Sequence, residues 1–201
     1  MTTAQTNMTL GKLALRTLLW LPLCLAAWFL SAHYHVAIVG EFAHLMVNAL
    51  QHGIVSALEL TGTDLAFVTS LKVEAEPGRF GLLVPEVNPL LYTYGLAFFI
   101  ALMLAANSQW WKIIAGAIAL MPFQSWGIAF DFLVQVGIKL GPDVAAQAGI
   151  SGWQLNAIAL SYQIGNLIFP TLIPVILWTS FNRCFIESLL SSKARNTPSP
   201  S

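Results

Sequence analysis

Charge is what this sequence lacks most. Nine Lys and Arg and nine Asp and Glu make up 9% of 201 residues, roughly a third of the share a water-facing domain carries. So little charge excludes an ordinary soluble enzyme domain, a coiled coil and a disordered chain. A net charge of zero gives nucleic acid no electrostatic footing. Cysteine is scarce as well: Cys24 and Cys184 stand far apart, which provides neither a disulfide framework nor a metal-type spacing. No phosphate-cradling glycine loop, dinucleotide glycine pattern or G-x-S-x-G elbow is present. What remains is apolar: 57% hydrophobic residues, with seven Trp and twelve Phe. This describes an integral membrane protein of one domain, with no cofactor.

The apolar runs set the organisation. Residues 1–11 are polar, and the Ser/Pro-rich 191–201 reads as a disordered tail. The first run, Leu13 to Ala32, follows Lys12 and contains Arg16. It exceeds the 7–15 residues of a signal-peptide core and has no small-residue cleavage site, so an uncleaved transmembrane helix is expected. Three further spans are predicted at about 90–106, 113–138 and 155–178, each near the length a 30 Å hydrocarbon layer requires. Trp20, Trp28, Trp110, Trp111, Trp153 and Trp178 fall in or near span ends, where indoles anchor to the membrane interface.

Two segments differ. Residues 34–61 carry Glu41, His44, Asn48, His52, Ser56 and Glu59 at spacings of three and four. That places the polar groups on one helical stripe and predicts a periplasmic amphipathic helix lying at the membrane surface. Residues 65–87 hold two β-prone runs around Glu76-Pro77-Gly78-Arg79, which predicts a small hairpin. The fold class expected is an all-α integral membrane protein with four transmembrane helices, that amphipathic helix and the hairpin. With four spans, Lys12, Arg16, Lys112, Arg183, Lys193 and Arg195 share one side, against Lys72, Arg79 and Lys139 on the other. The bias puts both termini in the cytoplasm of a bacterial inner membrane.

Two groups of residues are candidates for chemistry. Gln124, Asp131 and Gln135 share one face of the third span, and Asn156, Gln163 and Asn166 share one face of the fourth. The simplest arrangement packs these faces together and gives Asp131 hydrogen bonds from the last span's amides. Such contacts are ordinary helix–helix glue; the competing reading is a polar path for transport. Only Lys139, two turns on, offers Asp131 a cationic mate. The second group is the stripe Glu41, His44, Asn48, His52 and Glu59. Zinc ligands on a helix stand four apart, and Asn48 fills the middle position poorly, so a solvated face is expected and no metal site. Trp126, beside Gln124 and Pro122, needs a partner for its indole N–H. Cys184 follows Arg183 at the chain's end, but every His lies before it. No catalytic residue is predicted.

The runs 18–29 (LLWLPLCLAAWF), 87–105 (VNPLLYTYGLAFFIALMLA), 110–136 (WWKIIAGAIALMPFQSWGIAFDFLVQV) and 161–178 (SYQIGNLIFPTLIPVILW) resemble the exosortase H-associated membrane proteins of Gram-negative bacteria. The resemblance implies a small inner-membrane protein encoded beside an exosortase, a membrane cysteine transpeptidase that recognises C-terminal sorting tails. It implies the partner and not the enzyme: Cys24, Cys184, Arg16 and Arg183 are wrongly placed for a Cys–Arg–His site. The function expected is a non-catalytic accessory subunit, with membrane lipid and an exosortase or its substrate tail as partners. The alternative is a small transporter or channel along Asp131, Gln135, Gln163 and Asn166.

Overall fold

The computed structural model describes residues 9–76 and 79–187. Its first element is one unbroken helix, α1, Leu10–Leu50. The Thr9 hydroxyl accepts from the Lys12 amide at 3.4 Å and caps its start. Pro22 lies inside it, yet no terminator follows until Gly53, whose φ of 77° turns the chain away. At 1.5 Å per residue, α1 is about 60 Å long.

A sheet region comes next: β1 Val55–Thr61, β2 Asp64–Thr69, β3 Lys72–Glu76, β4 Arg79–Leu82 and β5 Glu86–Val87. One antiparallel sheet has the order β1-β2-β5, and β3 pairs with β4. Backbone bonds from Phe67 to Pro85 (2.9 Å) and from Leu83 to Leu71 (2.9 Å) stitch the two together. Helices then complete the chain: α2 Leu90–Thr93, α3 Gly95–Ala105, α4 Trp110–Val134, α5 Pro142–Gln147, α6 Trp153–Gln163 and α7 Phe169–Phe181. Gln135–Lys139 extends α4 as a π-turn, and Ile164–Ile168 joins α6 to α7 as a second. Pro170 lies two residues beyond that second turn, and a proline's missing N–H breaks the ordinary helical ladder four residues back.

Three helices are long and apolar enough to cross a membrane: Leu10–Leu50, Trp110–Lys139 and Trp153–Phe181. The fourth expected span, Leu90–Ala105, is a shorter apolar helix.

Two predicted elements require correction. The helix expected over 34–61 does not exist as a unit: residues 34–50 prolong α1, and 55–61 form β1. The stripe had combined two periodicities. After Gly53, Leu58 and Leu60 turn inward while Glu59 and Thr61 turn outward, a two-residue alternation that belongs to a strand. The hairpin expected over 65–87 is four strand segments, because Thr69-Ser70-Leu71 breaks the first run and Pro85 the second. Strands β3 and β4 do flank the Glu-Pro-Gly-Arg turn. Its central residues 77–78, residues 1–8 and the tail 191–201 lie outside the described residues.

Burial among the described residues forms two large apolar clusters and a small third one of Cys24, Ala97 and Ala101. One lies at the sheet end, where Val36, Val39 and Val47 of α1, Leu65 and Phe67 of β2 and Phe132 of α4 are almost fully buried. The Phe67 and Phe132 rings stack at 4.6 Å. The other joins Leu13, Phe99, Met103, Ile113, Leu120 and Trp178. Gly40 lets β2 approach α1, since a Cβ there would lie 2.9 Å from a Leu65 methyl.

Candidate functional site

The densest polar constellation is centred on Asp131. Its carboxylate is nearly buried and interacts with the buried Tyr92 side chain, which interacts in turn with Tyr162. Lys139 Nζ lies 3.7 Å from Asp131 Oδ1 and 5.6 Å from the centre of the Tyr162 ring. Three separate elements therefore supply the group: α2, α4 with its π-turn, and α6.

Local sequence explains each placement. The Asn88 side chain accepts from the Leu90 amide at 3.0 Å and starts α2 directly after Pro89, which orients Tyr92 inward. Gly127, one turn before Asp131, leaves room for the Tyr92 ring. Lys139 is eight residues beyond Asp131, off the seven-residue repeat that would return it to the same face of a plain α-helix. A π-turn absorbs one extra residue, so Lys139 comes back over Asp131.

A second ring of polar contacts lies one to two turns away. His35 Nε2 meets Gln124 Oε1 at 2.8 Å, and Gln124 Nε2 donates to the Thr93 carbonyl at 3.5 Å. Ser125 donates to the Val39 carbonyl at 3.0 Å, and the Trp126 indole donates to the Ser161 carbonyl at 3.2 Å. Consecutive residues of α4 thus bind α1, α2 and α6. Gln124→Leu is expected to lower stability by about 1–2 kcal/mol, because His35 and the Thr93 carbonyl lose their partner in a buried setting. An unchanged midpoint of thermal unfolding in detergent would remove this contact from the account.

The grouping expected from the sequence is only partly assembled. Gln124 and Asp131 are buried, but Asn156 and Gln163 are exposed and Asn166 is half-buried. The partners of Asp131 are the Tyr92 phenol and the Lys139 ammonium rather than amides of the last span. Gln135 donates to the Glu86 carbonyl at 3.0 Å and so ties α4 to β5. Gln163 is exposed. Tyr92 and Tyr162 escape a search for carboxylates and amides, which passes over phenols, although Tyr92 closes the Asn-Pro-Leu-Leu-Tyr run; His35, upstream of the polar stripe, pairs with Gln124 instead of with that stripe.

The second group is dispersed too. Glu41 is exposed, 3.8 Å from His44 Nδ1, His52 lies beyond the end of α1, and Glu59 points outward from β1. His44 Nε2 and Asn48 Oδ1 are buried with no hydrogen-bond partner among the described residues. No cluster of three metal-ligating side chains occurs among the described residues. A groove of about 170 Å³ opens between the end of α1, α4 and α6, lined mainly by Leu50, Phe130, Leu133, Trp153, Ala157 and Ile158. Its wall is almost wholly apolar.

The family model described as exosortase H-associated membrane protein matches residues 7–185. The chain belongs to that family. Comparison with curated proteins and with solved structures gave no match. As an exosortase H-associated membrane protein, it is tied by its family's name to a membrane-bound exosortase, and that name suggests an accessory rather than a catalytic role. The four runs that carried the resemblance all lie within the matched residues.

Proposed function

We propose that this exosortase H-associated protein is a non-catalytic accessory subunit of a protein-sorting system. It spans the bacterial inner membrane four times, keeps both termini in the cytoplasm and presents its sheet lobe to the periplasm. Support for four passes comes from one apolar cluster that gathers Leu13 near the start of α1, Ile113 near the start of α4 and Trp178 near the end of α7. With α1 and α4 starting at the same level, α2 and α3 have to return across the layer, short as they are. Asp131 is 21 residues beyond Trp110, about 32 Å along the helix, so its network would sit at the far membrane boundary, under the lobe. The excess of Lys and Arg on the opposite side favours a periplasmic lobe.

The observation that carries the docking role is the outer edge of β1. β2 is covered on both sides, by β1 and by the 83–87 segment. β1 takes no backbone partner on its other side among the described residues, and Ser56, Ala57, Glu59 and Thr61 are exposed along it. An open edge adds an extended peptide as a further strand, which suits a substrate's sorting tail. β2 itself is part of the core, with Leu65 and Phe67 fully buried, so the edge is best probed without removing strands.

The test is gentle-detergent purification of the tagged chain from native membranes, with mass spectrometry of its companions. A benzophenone side chain installed at the position of Glu59 is used in parallel. Recovery of an exosortase, together with crosslinking of a tail-bearing exported protein at Glu59, is the expected result. A homo-oligomer free of either companion would sink the reading.

A further inference from the structure

The pairing of β1 with β2 fixes which backbone groups of β1 remain free. Phe67 and Thr69 donate away from β1, to the Pro85 and Leu83 carbonyls at 2.9 Å and 3.2 Å. Bonding alternates along an antiparallel strand, so Asp64 and Ala66 bond toward β1, where they face Thr61 and Glu59. The two-residue turn Gly62-Thr63 demands the same phase, since such a turn closes on a bonded pair, here Thr61 and Asp64. The N–H and C=O groups of Leu58 and Leu60 therefore project from the outer edge, with no partner among the described residues. Native sheets blunt such edges with Lys, Pro or a bulge. β1 contains neither residue, and its bulge, between Val55 and Ala57, guards only the start.

Side chains add a second requirement. Glu59 and Thr61 lie on one face of the sheet, and Thr61 is opposite Asp64, so the two carboxylates share the outer face. Both are exposed, and neither has a cationic partner among the described residues. Between Arg16 and Lys72 the chain holds no Lys or Arg. On the inner face Leu58 and Leu60 are half-buried.

Resting on the docking reading above, we infer that the outer edge of β1 takes a peptide strand with a basic residue opposite Glu59, flanked by apolar residues opposite Leu58 and Leu60. The peptide lies antiparallel, the more stable pairing, and its backbone bonds to Leu58 and Leu60. Its residue between them occupies a non-bonded position, where facing side chains come closest, so its charge is read against Glu59. A second copy of β1 fits badly, because it brings a carboxylate and no cation to this edge.

Full-length protein in nanodiscs is titrated with short fluorescent peptides of alternating valine and threonine, the central threonine replaced by lysine or by glutamate. Fluorescence polarisation is expected to show the lysine peptide binding about threefold or more tightly than the glutamate peptide, with the order reversed for Glu59→Lys. N-methylation of the valines on either side of the lysine, whose N–H groups face β1, is expected to abolish binding. N-methylation of the threonines, whose N–H groups face away, is expected to leave it intact. Equal affinity for the two peptides would overturn the charge requirement, and binding that survives methylated valines would overturn the strand register. So would a benzophenone side chain at the position of Ala57 that gives, in native membranes, an adduct of twice this chain's mass. Failure of both peptides to bind at millimolar concentration, while exosortase still co-purifies, would overturn this inference and leave the accessory reading standing. Absence of exosortase from the purified wild-type protein is the separate failure of that reading.

Discussion

Gly127→Leu is expected to lose roughly 3 kcal/mol or more of stability, enough to prevent accumulation of the folded protein in the membrane. A Cβ at this position would fall on the Tyr92 ring, which is fully buried and therefore has nowhere to swing. The other side is equally closed: Gly165 approaches so near that a Cβ built on it would lie 3.0 Å from the Gly127 Cα. Small residues that allow helix backbones this close are the usual basis of packing between membrane helices. The measurement is the midpoint of thermal unfolding in detergent for Gly127→Leu beside Gly11→Leu. Nothing lies within 4 Å of a Cβ at Gly11, so that variant should melt with the wild type. Equal midpoints for all three proteins would mean that α2 and the second π-turn do not meet α4 at this point.

Asp131→Leu should cost about 2–3 kcal/mol, because the buried Tyr92 side chain loses its charged partner. Lys139 suffers less: half its side chain is exposed, and the ammonium can turn to water. Asp131→Asn keeps an acceptor oxygen and should recover most of the loss. Gln163→Leu and Asn156→Leu should change almost nothing, since both side chains already face outward. The same unfolding measurement ranks the four variants. A transporter would behave differently: Asp131→Asn would fold and insert normally yet abolish ion flux into reconstituted vesicles. Normal melting of Asp131→Leu would show that the aspartate does not interact with Tyr92 as described.

The sequence exposed the membrane character, the family, the two long helices Trp110–Lys139 and Trp153–Phe181, the first half of α1 and the pairing of β3 with β4. Apolar length and Trp placement are one-dimensional signals, and they survive without knowledge of contacts. The stripe over 34–61 misled because Glu41, His44, Asn48, His52, Ser56 and Glu59 keep helical spacing even across Gly53, where the backbone changes kind. Its polar residues suggested the exposed side, whereas the face that packs is the small-residue set Val36, Val39, Ala43 and Val47. In the candidate site, Asp131 and Lys139 were legible as a pair, but their meeting depends on the π-turn, which no periodic template contains. The role of Tyr92 depends on a glycine thirty-five residues later, and a relation of that kind is visible only in three dimensions.

The continuity of α1 also has a mechanical side. A helix that runs from Leu10 to Leu50 as one element is a stiff rod, held by α3 around Cys24, by the β1–β2 turn at His33 and by the sheet end along Val36, Val39, Ala43 and Val47. Any inclination imposed at its N-terminal end is transmitted, not absorbed. Over about 60 Å, a swing of about 5° displaces the far end by about 5 Å, comparable to the 4.7–4.9 Å spacing between neighbouring strands. The lobe and the N-terminal end of α1 are therefore opposite arms of one lever.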